Sequence, residues 1–420
     1  MKTPKTILAL LGTIIVIYSC TYKSKQNTEE LKFVEDNISF AVAQMNNMID
    51  YLSDPDTAEL KRIIPTMASP TGKVHTSHPY GWTIGFFPDS LWYMYELTND
   101  TLWRNRAEKW THKLEYLKTF TAHHDLGFMM YCSYGNANRL APRPEYKDIL
   151  VQSAASLATR FYPDAKVIKS WNYRKAWNGT TEWFCPVIID NMMNLELLCA
   201  GTKLSGNPVY KDIAVTHSET TLKNHFRPDF STYHVVDYDT ITGEVKDQAT
   251  CQGYSDNSTW SRGQAWAIYG YTMMYRETGR KEYLNAACKA ADYFINNLPA
   301  DYVPLWDFNI GQIGYTAEGK SKAVEDKTPY RDVSAGSITC SALFELGQLA
   351  QKQHYIDAAV KMLHSLSSPE YRATLGSNGN FLLMHSVSSL PHGGGIDYAL
   401  DYADYYYLEA LVRYRGYLTK

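Results

Sequence analysis

Three stretches of the chain carry side chains whose types and spacing suit chemistry. The first is Pro186-Val-Ile-Ile-Asp190-Asn191-Met-Met-Asn194, an acid set among apolar neighbours. A buried carboxylate is costly unless paired or used, and burial raises its pKa towards that of a proton donor. Asp190 is therefore a candidate general acid, or else an acid bonded to backbone or arginine in the core. Pro186 fits the first position of a helix, which would place Asp190 one turn in. The second stretch is His123-His124-Asp125-Leu126-Gly127-Phe128. Adjacent histidines do not share a face, and no HxxxH or HExxH spacing occurs, so it does not read as a metal site. Asp125 is a second candidate carboxylate, with a turn-forming loop aspartate as the alternative. The third is Ser258–Tyr275, STWSRGQAWAIYGYTMMY. Ser258 or Thr259 can cap a helix, and Trp266, Ile268, Tyr269, Thr272 and Met273 follow at helical spacing. Arg262 and Trp266 lie four apart and share one face. A guanidinium beside an indole suits a ligand with a carboxylate and a flat apolar face, such as a uronic acid. A buried arginine stacked on a core indole fits the same spacing.

Helices must position these groups. Trp103, Tyr210, Tyr283 and Tyr355 each have an alanine four residues on, and each follows a turn-like segment preceded by an amphipathic run. The unit is helix, short turn, helix, and it recurs. One set of helices begins near Asp89, Gly127, Pro186, Arg262, Ser334 and Tyr402; a more charged set spans about 30–52, 103–118, 148–163, 208–223, 281–297 and 354–367. Six apolar helices inside six polar ones describe an all-α fold, an (α/α)6 barrel of six helical hairpins. Such a barrel gathers the starts of its inner helices around one cavity. Long loops between repeats belong on one rim, and Thr232–Gly253 reads as a strand-like excursion. Trp82, Trp171 and Trp260 would wall the cavity, with His234 and Gln252 beside them; each taken alone also fits a core or surface position.

Composition narrows the function. A formal charge of −3 over 420 residues leaves no electrostatic footprint for nucleic acid. The 33 Tyr and 10 Trp exceed what 14 Phe would suggest, and suit a sugar cleft where rings stack and polar edges bond hydroxyls. Residues 1–20 read as an address: Lys2 and Lys5, an apolar Ile7–Ser19, then Cys20, too short for a stable membrane helix. Cys20 resembles the lipid-accepting cysteine of a bacterial lipoprotein, with 21–30 as a polar tether and 31–420 as one catalytic domain. The only membrane contact would be the anchor at Cys20, in the periplasm or outer membrane. The other six cysteines form no CxxC pair and read as buried thiols.

Together the segments GWTIGFFPDSLWYMYELTND, HHDLGF, IIDNMMNLELL, STYH, DNSTWSRGQAWAIYG, YRDVSAGSIT and DYADYYYLEALVRY resemble, in order, the unsaturated glucuronyl hydrolases, glycoside hydrolase family 88. The resemblance implies an (α/α)6 barrel without metal or organic cofactor. It implies action on oligosaccharides left by polysaccharide lyases, here of glycosaminoglycan type, whose non-reducing end is a 4,5-unsaturated uronic acid. It puts the general acid/base on Asp190 and a second essential carboxylate on Asp125. Substrate contacts fall on Trp82, His124, Trp171, His234, Gln252, Trp260, Arg262 and Trp266. Some relatives that take sulfated disaccharides carry Ser-x-x-Ser-x-Lys near the C-terminus. Here Ser386 and Ser389 stand, Pro391 replaces the lysine, and His392 is a conceivable substitute. Two other readings share these features: an unsaturated rhamnogalacturonyl hydrolase acting on pectin fragments, and a non-catalytic glycan-binding lipoprotein. The second needs no acid in the cleft.

Overall fold

Helices account for the architecture because, among the described residues, the apolar pattern is helical in twelve places. Six lie outside: α1 (Lys5–Tyr51), α3 (Thr101–His112), α5 (Pro144–Ala158), α7 (Val209–Asn224), α9 (Lys281–Asn296) and α11 (Gln353–Leu366). The inner six are α2 (Phe86–Thr98), a π-helical turn Gly127–Gly135 running into α4 (Asn136–Leu140), and a 3-10 turn Ile189–Asn194 running into α6 (Leu195–Ser205). The others are α8 (Ser261–Thr278), α10 (Val333–Ala350) and α12 (Asp401–Leu418). This computed structural model describes residues 5–52, 54, 55 and 63–420, with side chains from Asn27 onward. The targeting segment expected at 1–20, with Cys20, and the first part of the tether lie outside the described side chains. Among the described residues no helix is long and apolar enough to cross a membrane.

The two rings differ as burial demands. On α9 only one stripe is buried, with Tyr283, Ala286, Ala287, Ala290, Ala291 and Phe294 spaced three and four apart. On α8 every residue from Ser261 to Met274 is buried, and α10 and α12 are nearly the same. Consecutive inner helices pack side by side, and α12 closes the ring against α2. The repeat seen in the sequence is the hairpin turn. Asn99, Gly206, Gly279 and Gln351 each cap an inner helix in the left-handed conformation, and each cap N–H returns to a carbonyl of the last turn. The alanines that follow, Ala107, Ala214, Ala287 and Ala359, are fully buried against the inner ring.

The opposite rim is not all helical. Strands Ser386–Ser389, Gly394–Leu400, Pro65–Ala68 and Val74–Thr76 form one antiparallel sheet, in that order, which joins segments from early and late in the chain. Pro186–Ile188, Val235–Tyr238 and Val245–Ala249 form another. The strand-like excursion expected at 232–253 is part of this second sheet. Pro186 does not open a helix: it begins a strand, because its partner across the ladder is Asp237 and the chain turns only at Ile189.

Candidate active site

The strand register delivers the two central side chains. Ile188 pairs with Val235, and Ile189 N donates to His234 O at 3.0 Å, so Asp190 and His234 emerge side by side where the strand becomes a 3-10 turn. Asp190 is 6% exposed, and the nearest ionisable nitrogen is His234 Nε2, 3.6 Å from Oδ2. The backbone N–H groups of Cys251 and Gln252 donate to His234 Nδ1 at 3.0 and 3.1 Å. That nitrogen is therefore unprotonated, and Nε2 carries the hydrogen that faces the acid. Burial, with Arg262 adding to it, holds His234 well below its ordinary pKa, so the ring is neutral. Burial likewise pushes the Asp190 carboxyl up to about 7, and the charge on Asp125 adds to the effect against the pull of Arg262.

Asp125 sits across from it at the mouth of the Gly127–Gly135 turn. Phe128 N donates to Asn194 Oδ1 at 3.1 Å, tying this segment to the turn that carries Asp190. A Cβ on Gly127 would lie 2.4 Å from Asn194 Cα, so only glycine permits the approach. His123 Nδ1 stands 3.0 Å from Asp125 Oδ2, and His124 Nε2 3.2 Å from Oδ1. Burial opposes the charge on Asp125, but His124, His123 and Arg160 outweigh it and hold the carboxyl below its ordinary value. His124 is fully buried and lowered to about 4. The pair is thus split: burial raises Asp190 to about 7, while Asp125 is held below its ordinary value.

The aromatic residues wall this pair. Trp266 is fully buried beneath Asp190, and its indole N–H lies near enough to favour the ionised carboxyl while making no full hydrogen bond. Trp260 packs on His234, ring centroids 4.5 Å apart. Half-buried Trp82 meets Phe128 edge-on and Tyr402 at 5.1 Å. Trp171 stands on the rim with the Arg174 guanidinium 4.7 Å above it. Arg262 stacks on Trp260, not on Trp266, at 4.3 Å, and its charge is met by Asp332 at 2.8 Å. Its other donors hold Val387 O and Ser388 O, at 2.6 and 2.5 Å, and Gln252 Nε2 also donates to Ser388 O. Arg262 therefore pins the Ser386–Ser389 strand over the cleft, with Nε alone lacking a partner. Neither Ser258 nor Thr259 caps α8; Trp260 occupies that position, and the Ser258 hydroxyl donates to Asp307. The Ser386 hydroxyl is buried and accepts from Ser334 N, whereas Ser389 Oγ lies at the rim, 2.5 Å from His392 Nδ1.

The model of Glycosyl Hydrolase Family 88 matches residues 60–418. The chain belongs to this family. It is 40% identical to the unsaturated glucuronyl hydrolase of Formosa agariphila over 99% of this chain and 98% of that one. It is 30% identical to the unsaturated chondroitin disaccharide hydrolase of Streptococcus pyogenes serotype M1, over 90% of each. A crystal structure of an unsaturated glucuronyl hydrolase specific for heparin superposes with a TM-score of 0.83 at 39% identity, covering 93% of this chain and 98% of its own. The protein is thus a glycoside hydrolase with the barrel of its neighbours, which removes the non-catalytic reading.

Several residues of this family-88 site carry no sequence signal of their own. Arg160 donates to the carbonyls of Thr121, Lys169 and Ser170 and so shapes the loop bearing His124, yet it lies alone at the end of α5. Asp332 is legible only as the cap of α10, where it accepts from Ser334 N and Ala335 N; its bond to Arg262 spans distant sequence. A cavity of about 420 Å³ opens at the other end of the barrel, lined by Tyr93, Tyr269, Tyr406, Glu409 and Arg413 among others. It holds none of the candidate residues, and its arginines are already paired with glutamates. The candidate residues lie at the rim where the inner helices begin.

Proposed function

We propose that this hydrolase removes the 4,5-unsaturated uronic acid from the non-reducing end of lyase-generated glycosaminoglycan oligosaccharides, with Asp190 as general acid and then base. One observation carries the reading: a buried carboxyl poised to be protonated near pH 7, beside a second held ionised. The C4=C5 bond beside the ring oxygen is a vinyl ether. Asp190 gives its proton to C4, and positive charge develops at C5 and the ring oxygen, where ionised Asp125 stabilises it. Asp190, now a carboxylate, takes a proton from the water that adds to C5. The resulting hemiketal opens to a ketone at C5, and the hemiacetal left at C1 expels the next sugar. Neutral His234 donates from Nε2 to the ionised form of Asp190 or to a sugar hydroxyl. No carboxylate need attack the anomeric carbon, unlike in ordinary glycosidases. A matched pair of disaccharides tests this. The unsaturated one loses its ultraviolet band and is cleaved, and its saturated counterpart is inert; equal cleavage of both would sink the vinyl-ether mechanism. The heparin-specific and chondroitin-named relatives support a glycosaminoglycan source. Export as a lipoprotein is part of the same proposal, supported by the sequence of residues 1–20: Cys20→Ala should move the enzyme from the membrane to the soluble fraction.

A further inference from the structure

The cavity at the far end of the barrel is built from tyrosines and from charges that cancel. Tyr93, Tyr131, Tyr269, Tyr405 and Tyr406 line it, together with four cations and four carboxylates. Each cation has its own partner within the lining: Arg139 with Glu96 at 2.6 Å, Lys203 with Glu277 at 2.6 Å, Arg413 with Glu409 at 3.2 Å, and Arg276 with Glu196. Glu345, outside the lining, adds a second contact to Arg276 and Arg413. An ion entering this space would give up its water and meet no free counter-charge. The paired groups still offer hydrogen bonds, because a carboxylate has about four acceptor sites and a guanidinium five N–H donors. Tyr406 is 1% exposed, and its hydroxyl has no partner among the described residues. The volume of about 420 Å³ falls in the range of small-molecule sites, roughly 300–1,000 Å³.

We propose that this cavity is a second saccharide site, separate from the candidate active site, and that it takes an uncharged sugar unit. A pyranose has apolar faces that suit tyrosine rings. Its rim of hydroxyls both donates and accepts, which suits carboxylates and guanidinium groups already paired with each other. The unmet Tyr406 hydroxyl supplies one further bond. A uronate or a sulfated sugar is refused, since every cation in the lining is already held by a carboxylate. The site lies behind the candidate active site. Gly127 and Met193, one from each of the turns that follow Asp125 and carry Asp190, form part of its wall. Tyr406 packs edge-on against Trp266, ring centroids 5.5 Å apart, and Trp266 lies beneath Asp190. A sugar bound there would touch the back of both turns without entering the cleft.

The test reads binding, not turnover, so it stands apart from the reaction proposed above. Wild type is titrated calorimetrically with methyl glucoside and with methyl glucuronide, which differ only in the carboxylate. Val412→Trp fills the cavity from a half-buried position on α12, so binding that this variant loses belongs to the cavity. The glucoside should bind wild type with a Kd of about 1 mM or tighter, and Val412→Trp should lose that binding. Tyr406→Phe removes only a hydroxyl without a partner, so it should fold as wild type does and bind the glucoside about tenfold more weakly. Any binding of the glucuronide should be the same in wild type and Val412→Trp. No glucoside binding up to about 10 mM, or binding unmoved by both variants, would overturn the site and leave a cavity that holds water only. Glucuronide binding lost in Val412→Trp would overturn the restriction to uncharged sugars. If Val412→Trp does not fold, the glucoside affinity of Tyr406→Phe decides alone.

Discussion

At the scale of single residues the account rests on a difference between two carboxyls. Asp190 is raised to about 7 chiefly by burial, and Asp125 is held below its ordinary value by two histidines and an arginine. In the proposed mechanism only the protonated form of Asp190 begins the reaction, so kcat/KM should hold through mildly acidic pH and fall as pH rises through about 7. The acidic limb, set by Asp125, should lie below the usual carboxylate range. Replacing His234 by alanine opens the space beside Trp260 to water and weakens the main cause of the shift. A pH profile of that variant should show its basic limb at lower pH, with kcat reduced roughly tenfold or more. A limb that stays in place would mean that burial at this ring is not what sets the acid. Asp190 was legible from the sequence because an acid in a run as apolar as Val187-Ile-Ile-Asp-Asn-Met-Met demands a reason. The role of Arg262 was not: Trp266, at helical spacing four residues on, is not the ring it stacks on, which is Trp260, the residue just before α8.

At the scale of elements, the site depends on two turns that touch. The π-helical turn after Asp125 and the 3-10 turn around Asp190 meet where Gly127 faces Asn194, with a similar approach of Gly270 on α8 to Met192. Gly127→Ala should force these turns apart, at a cost of roughly 1–3 kcal/mol in stability, and should lower kcat more than it raises KM. Denaturant titration and steady-state kinetics would check the two effects separately. The strand over the cleft depends on Arg262, whose buried charge is balanced by Asp332. Asp332→Asn removes that balance and weakens a helix cap, so unfolding experiments should show a loss of about 3–5 kcal/mol. Periodicity exposed the helices, whose pattern is local. It misplaced the start of the third inner helix at Pro186, because a proline is as well suited to a strand's first residue as to a helix's. Only the pairing with Val235–Tyr238 decides, and that pairing is remote in sequence.

At the scale of the whole molecule, one end of the barrel carries the candidate site and the other holds the ring closed. Glu409 on α12 accepts from Tyr93 of α2, Tyr269 of α8 and Ser341 of α10, at 2.8, 2.8 and 2.5 Å, and pairs with Arg413. Glu409→Ala would leave these three buried donors without their acceptor, while Arg413 keeps Glu345 at 3.0 Å, so it should destabilise the protein by roughly 1–3 kcal/mol or more while leaving the basic limb of the pH profile in place. The six-and-six ring was readable because four of its hairpins repeat the same left-handed cap and the same aromatic–alanine spacing. The rim was not, since its sheets join residues such as Met67 and Leu400 from opposite ends of the chain. Both ends serve a single acid, and it offers the most direct test. Wild type and Asp190→Asn, of matched melting temperature, are given an unsaturated disaccharide, and loss of its ultraviolet band is timed. The account predicts that the variant, nearly isosteric but unable to donate the proton, falls by about a thousandfold or more in kcat. A variant that turns over at the wild-type rate would contradict it.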